Sequence, residues 1–214
     1  MKSYVIHFIR HGAIDETLSG KYIGTTDVEL SDKGRAELRR LEREYTYPYA
    51  KVVFTSPLRR CTETCKILYP ELSPLEIADL RECNFGEWEG KTAEELKSDP
   101  DFQKWLAGDN TVKPPKGESN DDFIRRICRM FESIVEGLMK TGTTDCAIVT
   151  HGGVIMTLLA VYGLPQAKPF EWITESGCGY SVRITPMLWQ RGKVSEVYSR
   201  LPVIPESDAD GQVD

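Results

Sequence analysis

The chain has no long apolar run, no excess of positive charge and few histidines, and each shortage excludes a class of protein. No apolar run approaches the ~20 residues that a membrane span needs. The formal net charge is −6, which argues against a nucleic-acid or anionic-membrane surface. Only three histidines occur, and no H-E-x-x-H pair of metal ligands is among them. We therefore expect neither a metal ion nor a cofactor, and neither a nucleic-acid nor a membrane partner.

The chain is long enough for one ordinary domain. Its 214 residues, 40% of them hydrophobic, can bury a sizeable core, which we place in residues 1–201. Residues 202–214 are acidic and polar with two prolines, so we expect a disordered tail. The start of the chain shows no signal-peptide pattern, which predicts the cytoplasm. The six cysteines are interpreted as reduced, mostly buried thiols, because Cys61 and Cys65 lack the tighter spacing of a zinc knuckle.

Strand and helix signals alternate along the chain. They predict strands at about 4–9, 51–55, 75–78, 146–150, 181–185 and 194–199, and helices at 31–44, 56–69 and 154–162. Mostly helical sequence also fills 92–140, with Trp105 in it, and we interpret this segment as a cap. The alternation favours an α/β three-layer sandwich, with a mostly parallel central sheet between helices.

Two histidines follow predicted strands, where open α/β sheets bind their ligands. Arg10-His11-Gly12 ends the first strand, and His151-Gly152-Gly153 follows the strand at 146–150. A neutral imidazole can attack phosphorus to form a phosphohistidine, and neighbouring guanidinium charges keep it neutral. The planar fork of Arg10 suits phosphoryl oxygens, and the glycines after His151 offer backbone N–H groups to an oxyanion. The pattern indicates a phosphate site, although a structural histidine after a strand remains an alternative.

Two further segments add an anion site and a candidate acid. Arg59 and Arg60 stand in the first turn of a predicted helix that Ser56 would cap, and a bound anion would offset that concentration of positive charge. One of the two arginines is expected to be merely solvated. The loop 80–90 carries three glutamates, Glu82, Glu87 and Glu89, among aromatic residues and glycines. An apolar wall around one of these carboxyls would raise its pKa enough to make it a general acid.

Taken in order, these motifs resemble the histidine phosphatase superfamily, which includes cofactor-dependent phosphoglycerate mutases. The resemblance runs from about residue 2 to 185 and rests on RHG, S-x-L-x-R, E-x-x-x-G-x-W-E-G and HGG. It implies the phosphoglycerate mutase-like fold. The roles that it implies are nucleophile for His11, second pocket histidine for His151, pocket arginines for Arg10 and Arg60, and proton donor for Glu82. Thr17, Gly24 and Gly152 are further substrate-binding candidates.

Within the superfamily, the chain looks most similar to the small phosphatases of the alpha-ribazole phosphatase-like group, through residues 22–31 and 115–119. It departs from the family pattern at Ala13-Ile14 and Thr17, and at Lys116, where glycine is usual. We expect a metal-independent phosphomonoester hydrolase that acts on a small phosphorylated metabolite, with alpha-ribazole phosphate as one candidate. The alternatives are a phosphoglycerate mutase and a non-catalytic phospholigand-binding protein, with a metallohydrolase as a third rival.

Overall fold

A seven-stranded sheet organises the protein, for which a computed structural model describes residues 2–204. The strands are β1 (Tyr4–Arg10), β2 (Val52–Thr55), β3 (Leu75–Glu76), β4 (Asp145–Thr150), β5 (Gly163–Leu164), β6 (Gly179–Ile184) and β7 (Ser195–Leu201). Their order across the sheet is β3-β2-β4-β1-β6-β7-β5. β1 runs parallel to β4 and antiparallel to β6. Because β1, β2 and β4 are parallel, their carboxyl ends meet at one edge of the sheet.

Helices cover both faces, which confirms the predicted three-layer α/β sandwich. They are α1 (Asp32–Glu44), α2 (Arg59–Leu68), α3 (Ala93–Leu96), α4 (Pro100–Leu106), α5 (Asn120–Thr141), α6 (Gly152–Tyr162) and α7 (Pro186–Gly192). On one face α1 and α2 pack against Ile9, Val53 and Val149. On the other, α5 and α6 pack against Phe8 and Ile148. The central strands are therefore buried on both sides, which explains their continuous apolar sequence.

α2 begins later than its sequence suggests. We expected Ser56 to cap it, but the N-cap residue is Leu58, and the side chain of Ser56 bonds His151 instead. We expected a bound anion at this helix start, and a carboxylate of the chain itself takes part of that role. Asp27 Oδ1 accepts a 2.8 Å hydrogen bond from the backbone N–H of Arg59. Arg59 is exposed and pairs with Glu29, whereas Arg60 is buried.

The segment 92–140 is only partly a cap, which corrects the expectation from sequence. Its last part is α5, whose apolar face packs against the sheet and belongs to the main core. The cap is confined to α3, α4 and the loop that follows them. Leu96 of α3 and Phe102 of α4 form a small separate core with Trp88 from the preceding loop, and Trp105 packs against it. The apolar periodicity of α5 is equally consistent with a cap helix and a core helix, and only the sheet beneath it decides.

The C-terminal boundary also differs from the expected one. Val203 and Thr46 form an antiparallel bridge with two backbone hydrogen bonds of 2.9 Å, so the chain is still paired two residues beyond the expected boundary. Pro202 permits this because the donor N–H of the bridge belongs to the next residue. The disorder expected for 205–214 lies outside the described residues. Within residues 2–204, no helix is both long and apolar enough to cross a membrane.

Candidate active site

His11 stands directly after β1, at the edge where the parallel strands end. Its ring is 8% exposed, and Nδ1 donates a 2.8 Å hydrogen bond to the carbonyl oxygen of Gly12. A carbonyl only accepts, so the proton of a neutral ring resides on Nδ1, and Nε2 keeps its lone pair. The backbone thereby selects the tautomer in which Nε2 is the nucleophilic atom.

The electrostatic surroundings also favour the neutral ring. Burial, together with the positive charges of Arg60 and Arg10, lowers the pKa of His11 to about 3, although the bond to Gly12 opposes the shift. The imidazole is therefore unprotonated throughout the physiological pH range. This matches the sequence argument that neighbouring guanidinium groups would keep the nucleophile neutral.

Arg60 is the most enclosed charged side chain of the site. It is 1% exposed, and its guanidinium donates to the carbonyl oxygens of Gly24 and Thr26 over 2.6 and 2.8 Å. A third bond runs from Nε to Nδ1 of His151 over 3.3 Å. A guanidinium has five N–H donors, and these three bonds use three of them. The group lines the same cavity as His11, so the remaining donors are available to an anion.

His151 lies next to both residues. Its ring centroid is 5.2 Å from that of His11, and Nε2 is 2.9 Å from Ser56 Oγ. His151 is 1% exposed, and the cavity wall is formed by Arg60 rather than by His151 itself. Burial, with the positive charges of the site, lowers the pKa of His151 well below its usual value. Because Nδ1 accepts from Arg60, the proton of the neutral ring resides on Nε2, which donates to Ser56 Oγ.

Arg10 has an unused donor. Its Nη1 donates to the carbonyl oxygen of Thr174 over 2.7 Å, but the buried Nε has no hydrogen-bond partner among residues 2–204. Buried donors are normally paired, so one that faces a cavity indicates a ligand that would accept from it. The first turn of α6 is close by, because a Cβ atom at Gly152 would lie 3.5 Å from this Nε. The side chain and the helix start therefore face the same space.

Glu82 reaches the site from the loop after β3. Its two carboxyl oxygens accept backbone hydrogen bonds from Cys83 and Gly153, over 3.0 and 2.9 Å. Burial raises the pKa of Glu82, and this effect outweighs the opposing backbone bonds and the charges of Arg60 and Arg10. A carboxyl with a raised pKa carries the proton that a departing oxygen needs.

A cavity of about 560 Å³ brings most of the predicted residues together. His11, Arg10, Arg60, Glu82 and Gly152 line it. Three candidates, His151, Thr17 and Gly24, do not. Thr17 is exposed, and its hydroxyl bonds Asp15, because the chain turns there into a short 3-10 helix. Gly24 is buried and offers only its carbonyl oxygen, to Arg60.

Sequence reasoning missed one supporting residue, Glu89. Its carboxylate accepts from the backbone N–H groups of Thr25 and Thr26 over 2.7 and 2.8 Å. The same loop supplies the carbonyl oxygens that hold Arg60, so Glu89 fixes the arginine indirectly. The family motif contains this glutamate, but a single sequence does not reveal which loop it would bind.

The arrangement suits phosphoryl transfer. A free imidazole nitrogen, two arginines and a carboxyl of raised pKa face one cavity where parallel strands end. Among residues 2–204, no three His, Cys, Asp or Glu side chains are grouped so as to hold a metal ion. Sheet order and site together define an α/β protein of the phosphoglycerate mutase-like class. The chain belongs to the histidine phosphatase superfamily, branch 1, whose family model matches residues 6–194.

Relatives in this family have different activities. The chain is 31% identical over 163 residues to the 2,3-bisphosphoglycerate-dependent phosphoglycerate mutase 2 of Gloeobacter violaceus, covering 71% of this chain and 72% of that protein. It is 28% identical over 188 residues to the glucosyl-3-phosphoglycerate phosphatase of Mycobacterium tuberculosis, covering 84% and 83%. The alpha-ribazole phosphatase of Shigella flexneri has the same fold, with a TM-score of 0.79 at 22% identity over 94% of this chain and 98% of that one.

Proposed function

We propose that the protein is a phosphomonoester hydrolase that forms a phosphohistidine at His11 and needs no metal ion. The observation that carries the proposal is the bond between His11 Nδ1 and Gly12, which leaves Nε2 unprotonated and free to attack. A binding protein would need the arginines but not an oriented nucleophile. It would also have no use for a half-buried carboxyl of raised pKa such as Glu82.

In the first step, His11 Nε2 attacks phosphorus in line with the ester oxygen. The N–P bond forms while the P–O bond breaks, and Glu82 gives its proton to the departing oxygen, so that an alcohol leaves. Arg10, Arg60 and the first turn of α6 hold the equatorial oxygens, and His151 holds Arg60 in place by accepting from its Nε. Electrostatic stabilisation of those oxygens is the largest contribution, because the donors are fixed in a partly dry site.

In the second step, water hydrolyses the phosphohistidine. Glu82, now a carboxylate, takes a proton from the water as its oxygen attacks phosphorus, and the N–P bond breaks. Inorganic phosphate is released and the neutral imidazole is restored. Glu82 ends the cycle protonated, as it began, so atoms and charge balance without a further reactant.

The substrate class is a small phosphorylated metabolite, and alpha-ribazole phosphate is one candidate that the structural relative suggests. The mutase relative suggests a second candidate activity, in which the phosphohistidine transfers its phosphoryl group to another substrate molecule rather than to water. We favour hydrolysis because the connection from Gly90 to α3 is short and adds little cover over His11.

The test compares phosphate release with phosphoglycerate interconversion in one preparation, using wild type and His11→Ala. We expect wild type to release phosphate from an aryl phosphate and His11→Ala to lose that activity. Quenching in alkaline detergent during turnover should trap, on wild type alone, a phosphoryl group that is stable to alkali and released by acid. Turnover that survives in His11→Ala would refute the nucleophile, and dominant interconversion would make the protein a mutase. Loss of activity in the presence of a chelator would favour a metallohydrolase instead.

A further inference from the structure

A second cavity, of about 430 Å³, adjoins the phosphoryl cavity. Glu82, Gly153 and Met156 line both, so the two spaces meet at the proposed acid. In the proposed reaction Glu82 protonates the departing oxygen. The carbon skeleton attached to that oxygen must therefore begin at Glu82, which is where the second cavity opens.

Three aromatic side chains form part of the wall of this second cavity. Phe85, Trp105 and Phe123 line it, from the Glu82 loop, α4 and α5 respectively. The indole of Trp105 is fixed by edge contacts with Phe85 and Trp88, with ring centroids 6.1 and 5.5 Å apart. Such a wall stacks well against a planar ring and loses little side-chain entropy when it does so.

The side-chain amide of Asn120, on the wall of this cavity, has a defined orientation. The indole N–H of Trp105 donates to Asn120 Oδ1 over 3.1 Å, and since an indole nitrogen only donates, this fixes the orientation of the amide. The NH₂ group of Asn120 is the part that remains for a ligand. The cavity therefore offers a donor to an acceptor atom, such as a ring nitrogen or a carbonyl oxygen.

The charge of the cavity further limits the class of leaving group that it can accept. Its described lining residues include no lysine, arginine or histidine, and Glu82 is its carboxyl group. A leaving group with a carboxylate or second phosphate would find no cation there and would lie near that carboxyl. Lys21 lines the phosphoryl cavity but not the second one, which makes the space beside Lys21 the rival position for an anionic leaving group.

We propose that the Trp105 cavity is the leaving-group subsite and that it selects alcohols with a planar, uncharged ring over those that carry a second anion. This inference rests on the proposed phosphatase function. It also gives a reason for the aromatic cap core, since Trp88 and Phe102 hold Trp105 against the subsite.

The experiment compares kcat/KM for phosphate release from three esters of primary alcohols. Benzyl phosphate carries a ring, glycerol phosphate is compact and uncharged beyond its phosphate, and phosphoglycerate carries a carboxylate. Alkyl leaving oxygens in all three limit the differences in intrinsic reactivity. We expect wild type to prefer benzyl phosphate over phosphoglycerate by about tenfold or more, as one stacked ring permits.

Two variants test the subsite. Trp105→Ala should lower the benzyl-to-glycerol ratio of kcat/KM by about tenfold, because the stacking wall is lost. Thr157→Lys places a cation on the wall from α6, outside the aromatic cluster, and should shift preference towards phosphoglycerate. Lys21→Ala is the matched control, and we expect it to leave the benzyl-to-glycerol ratio as in wild type. If Trp105→Ala fails to fold, Thr157→Lys decides.

The outcomes separate the two proposals. Absence of phosphate release from every ester refutes the phosphatase function itself. Phosphate release with a preference for phosphoglycerate, or with ratios that Thr157→Lys does not move, leaves the phosphatase intact and overturns the subsite. A ratio that changes in Lys21→Ala instead would place the leaving group beside Lys21.

Discussion

The backbone N–H of Gly153 donates a 2.9 Å hydrogen bond to Glu82 Oε2, which joins the first turn of α6 to the proposed acid. A Cβ atom at position 153 would lie 2.5 Å from Glu82 Oε1, closer than real contacts allow. A side chain at position 153 would therefore push the Glu82 carboxyl aside, although the φ angle there does not call for glycine. The helix start that faces the phosphoryl cavity therefore also sets the position of the carboxyl group.

Gly153→Ala should displace Glu82 and impair proton transfer. We expect kcat for an alkyl phosphate to fall about tenfold to a hundredfold, since a displacement of about 1 Å is enough for that loss. Gly137→Ala is the matched control, because a Cβ atom there meets nothing within 4 Å. It should stabilise α5 by roughly 0.5–1 kcal/mol in urea unfolding. Equal kcat values in the two variants would contradict the argument.

Glu82→Gln should remove the acid and change the pH profile. Because burial raises the pKa of Glu82, the protonated acid persists to higher pH, and kcat/KM of wild type should fall as pH rises through that pKa. We expect Glu82→Gln to lose about 10²–10⁴-fold in kcat/KM on benzyl phosphate.

The loss in Glu82→Gln should be smaller on nitrophenyl phosphate, whose oxygen departs without a proton. The decline at high pH should disappear in the variant, although ionisation of the substrate phosphate affects both proteins equally. A decline that persists unchanged in Glu82→Gln would assign it to another group.

Arg60→Ala should cost both activity and stability. It removes a phosphoryl ligand, and losing one such donor lowers kcat by about 10²–10³-fold. It also leaves the carbonyl oxygens of Gly24 and Thr26 without their donor, which costs roughly 1–3 kcal/mol in free energy of unfolding. Arg59→Ala is the neighbouring control. Arg59 is exposed and its ion pairs are weak, so its loss should change stability by less than about 0.5 kcal/mol.

His7→Asn should reduce the acid sensitivity of the fold. Burial lowers the pKa of His7 to about 4, from 6.5 in a free side chain, although the charge of Asp145 opposes the shift. The unfolded chain therefore binds this proton first, and stability present above pH 6.5 is lost as pH falls towards 4. Between about pH 7 and pH 5, wild type should lose roughly 1–2 kcal/mol more than His7→Asn.

The comparison for His7→Asn is urea unfolding at each pH. The asparagine can keep a contact with Ser181, whose Oγ is 2.8 Å from His7 Nδ1, so the two proteins should be similar near neutrality. Parallel loss of stability in wild type and variant would show that His7 does not govern the acid response.

Much of the fold was predictable because its signals are local. The run 4–9 is apolar and β-prone, and Ser31 does cap α1 by accepting from Gly34 N–H over 2.9 Å. The start of α2 was not predictable. Ser56, the expected N-cap residue, bonds His151 instead, and His151 is far away in the chain. Lys116 is a similar case. It stands at φ 59°, in the left-handed region that favours glycine, and the sequence alone shows only that a glycine is missing.

By itself, the sequence determined the alternation of strands and helices, the residues RHG and HGG at two strand ends, and the family. Periodicity and motif spacing are properties of neighbouring residues, so one chain is enough to show them. Only the tertiary structure decided which tautomer His11 adopts, that His151 packs against Arg60, and that Thr17 stays outside the cavity. Hydrogen-bond partners, burial and the pKa values that follow from them depend on groups from distant segments, and folding alone brings those groups together.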